Sequence, residues 1–225
     1  MSAGIAHEFR IALAVVLGHA RLVDRAAGTD AAVGNHAQAI LREVRRLQEV
    51  VNHFLRFARQ ETPEFHPVDV AAMLAEIAGD FRADPRNAGI DLVVEEKAPR
   101  LVADEAILRQ ALVNLLRNAA EALPPGGTGE RCVRLRAAVH GGGGQVRFEV
   151  QDNGPGIEPD RLPRLFAPFY TTKEGGTGLG LALVRKVAAM HDGQAEAENI
   201  SGGGACVSIT LPASPAATPS LDLVA

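Results

Sequence analysis

Apolar residues recur at alternating steps of three and four along residues 1–60 of the chain. One series comprises Ala6, Phe9, Leu13, Val16, Ala20 and Val23, and a second comprises Ile40, Val44, Leu47, Val51, Phe54 and Ala58. A cluster of turn-forming residues at 27–30 separates the two series. This spacing predicts two helices packed antiparallel as a hairpin.

The predicted hairpin has short apolar stripes, which bury too little surface for a stable unit on their own. Pairing of two copies of the chain into a dimeric four-helix bundle would cover both stripes. The alternative is an ordinary hairpin that docks on the rest of the chain.

The pattern changes at residues 61–67, which contain Pro63 and Pro67 and are predicted to form a linker. Beyond it, apolar spacing predicts a helix over 69–81 with Asp69 as its N-cap. Further helices are predicted over 104–123, after Pro159 and over 178–191. Alternating residues predict strands at Ile90–Glu96, Cys132–Val139, Val146–Val150, Gln194–Glu198 and Ala205–Leu211.

These elements predict the α+β class, with a helical hairpin followed by an α/β sandwich of mostly antiparallel strands and helices on one sheet face. The predicted organisation is a hairpin over 1–60, a linker over 61–67 and the sandwich over 68–212. A tail rich in alanine, serine and proline, expected to be disordered, occupies 213–225.

Composition excludes several classes of function. The chain has 225 residues, 47% of them hydrophobic, and a formal net charge of -4, which gives no electrostatic case for a nucleic-acid partner. The longest apolar run, Ile11–Leu17, is far shorter than the ~20 residues of a membrane span, and no charged start followed by a long apolar stretch predicts a secretory signal. Cys132 and Cys206 are expected to be reduced thiols in strands, and the cytoplasm is the expected compartment.

Two asparagines lie on one face of the helix predicted over 104–123. Asn114 and Asn118 are four residues apart and stand beside leucines, although asparagine is a mediocre helix former. An amide oxygen is a suitable ligand for magnesium, which takes its other ligands from water and phosphate. Structural amides bonded to neighbouring groups are the alternative.

A short segment with two glycines follows a predicted strand, at residues 152–157. The Asp152 carboxylate can accept a hydrogen bond from an exocyclic amine such as that of adenine. Gly154 and Gly156 allow the backbone to approach a ligand closely. The alternative interpretation is an ordinary turn.

A third polar segment, residues 171–181, is a glycine-rich loop that runs into a helix. Backbone N–H groups at a helix start bind anions, and the loop adds hydroxyls and Lys173, one of only three lysines in the chain. The segment fits neither the P-loop nor the dinucleotide-binding pattern, and a flexible surface loop is the alternative. Together the three segments predict a magnesium–nucleotide pocket.

Four motifs occur in a fixed order: Asn114-x-x-x-Asn118, Asp152-x-Gly154-x-Gly156, Phe166-Ala167-Pro168-Phe169 and Gly176-Thr177-Gly178-Leu179-Gly180. This ordered set resembles the ATP-binding domain of bacterial sensor histidine kinases, within the superfamily of gyrase, heat-shock chaperone, histidine kinase and mismatch-repair ATPases. The stretch Pro168–Lys173 is especially similar to the nitrogen-regulation branch of these kinases.

The resemblance also gives an interpretation of the first helix. His7-Glu8-Phe9-Arg10 is similar to the phosphoacceptor box of the dimerisation and histidine-phosphotransfer hairpin. His7 follows the stripe residue Ala6 and is expected to face outward, and Glu8 could accept the ring proton while the other ring nitrogen attacks.

The resemblance implies a role for each matching residue. Asn118 would hold Mg2+, with Asn114 assisting at the phosphates, Asp152 would bind adenine, and Gly154 and Gly156 would border the base. The lid that contacts the phosphates would comprise Thr172, Lys173, Gly176, Thr177, Gly178, Leu179 and Gly180.

The implied reaction transfers the γ-phosphoryl group of ATP to His7 and then to an aspartate on the receiver domain of a separate response regulator. Homodimerisation is implied, and transfer within one protomer or across the dimer stays open.

The chain departs from the family pattern at two positions. Family members commonly have Thr or Asn four residues after the histidine and then Pro, whereas this chain has Ile11 and Ala12. Without that polar residue, dephosphorylation of the regulator is not expected. Only six residues precede His7, so the chain is expected to be the cytoplasmic catalytic portion of a longer receptor, with membrane contact only through an upstream segment.

Two other classes of function stay open on the sequence alone. One is a dimeric scaffold that binds nucleotide without phosphotransfer. The other is an ATPase or serine kinase of the same superfamily, which the acid stability of any bound phosphate would distinguish from a histidine kinase.

Overall fold

The computed structural model describes residues 2–27, 31–58, 62–97, 100–124, 130–173 and 176–214. The chain divides into two compact units. The first unit comprises residues 1–61 together with 169–179, and the second comprises 62–168 together with 180–225. The segment 169–179, which the sequence places inside the α/β sandwich, therefore groups with the hairpin.

The first unit contains a hairpin of two long helices, α1 (Ser2–Ala26) and α2 (Ala31–Ala58). Small and branched side chains fill the space between them, since Ala20, Ala37, Leu41 and Val44 are buried. A side-chain hydrogen bond from Gln38 Nε2 to Asp24 Oδ2, 2.8 Å long, joins the helices at their surface. The predicted helical hairpin is confirmed.

The apolar stripe predicted for the hairpin is only partly buried within one chain. Ala20 and Val44 lie between the helices, but several stripe residues are exposed, namely Val16, Val23, Ile40, Leu47 and Phe54. Ala37 and Leu41, outside the predicted stripe, are buried instead. Helix α2 thus has two adjacent apolar stripes, and a count of apolar spacing does not separate the one facing α1 from the one facing away.

The second unit alternates short strands and helices. In chain order these are β1 (His66–Val68), α3 (Val70–Ala83), β2 (Ile90–Lys97), β3 (Leu101–Ala103), α4 (Glu105–Ala122), β4 (Arg131–His140), β5 (Gln145–Asp152), α5 (Gly180–Met190), β6 (Gln194–Asn199) and β7 (Ala205–Pro212). Single 3-10 turns form at Pro85–Asn87, Gly141–Gly143 and Leu162–Arg164.

A five-stranded sheet in the order β2-β4-β5-β7-β6 forms the frame of the second unit. Strands β4, β5, β7 and β6 pair antiparallel, as predicted, and β2 pairs parallel to β4 with Ile90 opposite Arg131. A separate two-stranded sheet pairs β1 with β3. The sequence did not predict the parallel pair or the small sheet.

The core lies between one face of the five-stranded sheet and helices α3, α4 and α5. On β5 the side chains of Val146, Phe148 and Val150 are buried, whereas the residues between them are more exposed, which is the alternation of a sheet covered on one face. The α/β sandwich predicted from the sequence is confirmed. Cys132 in β4 and Cys206 in β7 are free thiols, also as predicted.

Helix starts in this unit follow local chemistry. Asp69 accepts a hydrogen bond from the Ala72 N–H at 2.9 Å, so it caps α3 as predicted. Asp104 caps α4 in the same way through the Ile107 N–H at 3.1 Å. Such caps each contribute ~1 kcal/mol.

Some boundaries differ from those expected. Strand β1 begins at His66, inside the expected linker, and the helix predicted after Pro159 is the single 3-10 turn Leu162–Arg164. Ala213, expected in the tail, donates to Gly144 O at 2.9 Å and accepts from Val102 N at 3.0 Å. Residues 215–225 of the predicted tail lie outside the described residues.

Candidate nucleotide-binding site

Helix α4 positions the two asparagines that the sequence singled out. Leu112, Leu115 and Leu116 are buried against the sheet, whereas Asn114 and Asn118 are half-buried at the edge of that face. A Cβ at Gly180 would lie 3.8 Å from Asn118 Nδ2, so the Asn118 amide faces the first residue of α5. The structure therefore brings Asn118 to a helix start, where backbone N–H groups bind anions.

A charge pair anchors α4 to its neighbour. Arg109 Nη2 lies 2.8 Å from Glu76 Oε2 on α3 and 3.0 Å from Glu105 Oε1, one turn earlier on α4. The hydrogen bond to Glu105 raises the pKa of the Arg109 guanidinium above its already high ordinary value. This pairing, together with the Asp104 cap, fixes the N-terminal half of the helix that holds Asn114 and Asn118.

The end of β5 positions Asp152 in a buried setting. Asp152 Oδ1 accepts hydrogen bonds from Gly154 N at 2.9 Å and from Ala205 N at 3.4 Å. Two backbone donors hold the carboxylate in one orientation, which a group that binds a base edge requires.

Gly154 lies where the loop approaches α4. A Cβ at this position would come 2.9 Å from Asp152 Oδ1 and 3.2 Å from the carbonyl oxygen of Ala122 at the end of α4. Gly156 has φ 80, a left-handed backbone that favours glycine. The local backbone therefore also favours glycine at both of the positions predicted to border the base.

The glycine-rich lid belongs to the first unit, except for Gly180. Lys173 N donates to Thr171 Oγ1 at 3.1 Å, Gly176 N donates to Lys173 O at 3.0 Å, and Leu179 N lies 3.4 Å from Thr177 Oγ1. Thr172, Lys173 and Gly176 are exposed, whereas Leu179 is buried. Residues 174–175 lie outside the described residues.

Gly178 closes the base of the lid. Phe169 N donates to Gly178 O at 3.0 Å, and a Cβ on Gly178 would overlap the backbone of Phe169. Gly178 has φ 66 and Phe169 has φ 64, so both ends of this closure adopt left-handed backbone. The close approach explains why the lid sequence has glycine at this position.

The structure brings some of the predicted residues together and not others. Within the second unit, Asn118 faces Gly180, and the end of the same helix contacts the loop that starts at Asp152. The lid residues 172–173 and 176–179 form a local cluster in the first unit. His7 and Glu8 lie in α1, but their side chains fall outside the described part of the chain.

Sequence reasoning missed three residues that shape the loop after β5. Asn153 holds the start of the loop through hydrogen bonds to Cys132 N and Glu130 O, 2.9 and 2.6 Å long. Asn199 accepts a hydrogen bond from Ile157 N at the end of the loop. The backbone of Gly204 passes so close to Asp152 O that a Cβ at this position would overlap that oxygen. The run of three glycines at Gly202–Gly204 is visible in the sequence and could have indicated an unusual turn there. All three glycines have positive φ in the structure.

Residues 103–215, about half of the chain, match the family model for Histidine kinase-, DNA gyrase B-, and HSP90-like ATPases. Residues 1–63 match the His Kinase A (phospho-acceptor) domain. The chain is 32% identical over 214 residues to the sensor histidine kinase ZraS of Klebsiella oxytoca, covering 94% of this chain and 45% of that protein.

Two solved structures are similar over nearly the whole chain. Full-length ShkA in complex with AMPPNP has a TM-score of 0.75 at 34% identity, covering 97% of this chain and 46% of that chain. Histidine kinase ThkA in complex with the response regulator protein TrrA has a TM-score of 0.68 at 25% identity, covering 96% of this chain and 61% of that chain. The chain thus spans less than half the length of ZraS and of ShkA.

The fold, the paired asparagines and the family match place the chain in the Histidine kinase-, DNA gyrase B-, and HSP90-like ATPase family. Together with the phospho-acceptor domain, this makes it the catalytic portion of a bacterial sensor histidine kinase. Among the described residues, no helix combines the length and apolar character needed to cross a bilayer.

Proposed function

We propose that the chain is an ATP-dependent histidine autokinase that transfers the γ-phosphoryl group of ATP to His7. The observation that carries the proposal is the meeting of the Asn118 amide with the start of α5, one turn before the C-terminal end of α4 that borders the Asp152 loop. An oxygen ligand, an anion-binding helix start and a buried carboxylate are what a nucleotide triphosphate needs.

The base and phosphates of ATP are divided between different residues. Asp152 accepts the hydrogen bond from the exocyclic amine of adenine, and Gly154 and Gly156 let the ring approach the backbone. The start of α5 at Gly180 binds the phosphates together with Asn114 and the lid residues Thr172, Lys173, Gly176, Thr177, Gly178 and Leu179.

The donor set fits a magnesium ion that is carried in with ATP. Within the described ranges, no group of three or more His, Cys, Asp or Glu side chains is arranged to hold a metal by itself. Asn118 supplies one amide oxygen beside a phosphate site, and magnesium commonly takes its remaining ligands from phosphate and water. An ion held there would supply charge neutralisation at the phosphates.

His7 is the nucleophile in this account. One ring nitrogen forms a bond to the γ-phosphorus, the bond from that phosphorus to the bridging oxygen breaks, and ADP leaves with the electron pair. Glu8 accepts the proton from the other ring nitrogen, which keeps the attacking nitrogen unprotonated. The phosphoryl group then passes to an aspartate on the receiver domain of a response regulator, the kind of partner present in the ThkA–TrrA complex.

The exposed stripe on the hairpin supports a homodimer. Ile40 and Leu47 are 47% and 44% exposed, and a second hairpin would cover them in a four-helix bundle. We propose the division into a phosphotransfer hairpin over 1–60, a linker and an ATP-binding domain over 68–212, working in the cytoplasm. Ile11 and Ala12 provide no hydroxyl or amide group to orient a water, so the proposed phosphatase activity is weak or absent.

Transfer of label tests the proposal. The wild-type chain incubated with Mg2+ takes up label from ATP labelled at the γ-phosphate and none from ATP labelled at the α-phosphate. Asn118→Ala takes up no label, whereas Asn87→Ala, which changes an asparagine bonded to the Phe81 carbonyl on α3, labels normally. ATP binding without label in the wild-type chain would favour the nucleotide-binding scaffold instead.

A further inference from the structure

Asn199, the last residue of β6, holds both backbone groups of Ile157. Asn199 Oδ1 accepts from Ile157 N at 2.7 Å, and Asn199 Nδ2 donates to Ile157 O at 2.7 Å. Two short bonds to one residue fix the orientation of its backbone. The two residues are 42 positions apart, so this amide clamp is a tertiary restraint and not part of a local turn.

The clamp acts on the loop that starts at Asp152. Gly156, immediately before Ile157, has φ 80, and a Cβ there would come 2.9 Å from Asn199 Oδ1. The glycine therefore makes room for the clamp as well as for the turn.

The loop is restrained at both ends by asparagine amides. Asn153 fixes its start to β4 through Cys132 N and Glu130 O, and Asn199 fixes its end to β6 through Ile157. Between them only glycine and proline intervene, at 154–156. The distance between the Asp152 carboxylate and the far side of the loop is thus set by these two side chains.

A restrained loop is what discrimination between adenine and guanine requires. Adenine presents an amino group that donates to a carboxylate, whereas guanine presents a carbonyl oxygen at the same ring position and is repelled. Guanine can still satisfy a carboxylate if it shifts and presents its ring N–H and its own amino group. A loop that cannot widen prevents that shift.

We propose that Asn199 is a positioning residue that sets the preference of this site for adenine over guanine. The inference rests on the proposed role of Asp152 in binding adenine. Asn199 touches neither the base nor the phosphates in this account, and it acts by holding Ile157.

Removal of the clamp tests the inference through base preference. Dissociation constants of ATP and GTP are measured for the wild-type chain and for Asn199→Ala. We expect the constant for ATP to rise about tenfold, the effect of losing hydrogen bonds worth roughly 1.4 kcal/mol. The dissociation constant for GTP is expected to stay within about threefold of the wild-type value, so the preference for ATP over GTP falls.

Two further variants separate positioning from general damage. Asn87→Ala removes one amide–carbonyl bond, 2.8 Å long, to Phe81 O outside the loop, and is expected to keep the wild-type preference. Asn199→Asp keeps an acceptor for Ile157 N but loses the donor, and is expected to lose part of the preference. Because the contact is exposed, both Asn199 variants are expected to fold.

The outcomes are distinct. Equal rises for ATP and GTP, or an unchanged preference in Asn199→Ala and Asn199→Asp, would overturn the inference and leave the proposed function standing. A wild-type chain that binds ATP and GTP equally would overturn the proposed role of Asp152, and the inference with it.

Discussion

His191 Nε2 accepts a hydrogen bond from the backbone N–H of Asp104 at 3.0 Å, which ties the end of α5 to the cap of α4. His191 Nδ1 lies 2.8 Å from Val187 O, so the tautomer with its proton on Nδ1 satisfies both contacts. Phe65 packs edge-on against the ring at a centroid distance of 5.3 Å. One buried imidazole thus joins the first residues of the second unit to the helices that hold Asn118 and Gly180.

Replacing His191 is expected to destabilise the second unit strongly. His191→Ala leaves the Asp104 N–H and the Val187 carbonyl without this partner and opens a cavity, so the free energy of unfolding should fall by about 3 kcal/mol. Urea denaturation measures the change. The matched control His140→Ala, at an exposed strand end, should change it by less than about 0.5 kcal/mol, and an equally small change for His191→Ala would contradict the account.

Two glycines of the β6–β7 turn provide a matched pair of variants. Gly202 and Gly204 have φ 103 and 94, so alanine is strained at both, by about 1–3 kcal/mol. At Gly204 the added Cβ would overlap Asp152 O. At Gly202 no atom lies within 4 Å of the added Cβ. Gly204→Ala should therefore weaken ATP binding at least tenfold more than Gly202→Ala, and equal binding by the two variants would refute the close approach.

A charge in the exposed stripe of the hairpin is expected to separate the proposed dimer. Ile40→Asp and Leu47→Asp place a carboxylate where the second hairpin would pack, and sedimentation should show monomers at concentrations where the wild-type chain dimerises. Arg42→Asp changes an exposed residue about 200° around the helix from Ile40 and should stay dimeric. Dimers in all three variants would show that this stripe is not the interface.

The two thiols are expected to react at different rates. Burial raises the pKa of the Cys206 thiol to about 11, so at pH 8 only about one molecule in a thousand carries the reactive thiolate there. Iodoacetamide labelling followed by peptide mapping should modify the half-buried Cys132 first. The rate at Cys206 should rise about tenfold per pH unit below pH 11, and faster labelling of Cys206 than of Cys132 would contradict the burial.

Local patterns carried most of what the sequence predicted. The Asp69 cap of α3 and the spacing of Asn114 and Asn118 in α4 are each properties of a single helix, and both are present in the structure. The antiparallel pairing of β4 with β5 follows from strands joined by a short glycine-rich turn.

Long-range contacts were the part that the sequence did not predict. Strands β1 and β3 have three residues each, too few to show a period, and β2 pairs with β4 across an intervening strand and helix. The clamp from Asn199 to Ile157 joins the end of β6 to the loop after β5, a contact that no local rule predicts. The restraint that such a side-chain amide places on a distant loop can be recognised only after the strand order is known.

The central claim is that His7 receives the γ-phosphoryl group of ATP, and the direct measurement is the location and stability of the label. The account predicts that label on the wild-type chain is lost in acid and survives base, because a phosphohistidine is acid-labile. It also predicts no label on His7→Gln and normal label on His19→Gln, which changes another histidine of α1. Label that persists on His7→Gln, or that survives acid, would contradict the assignment.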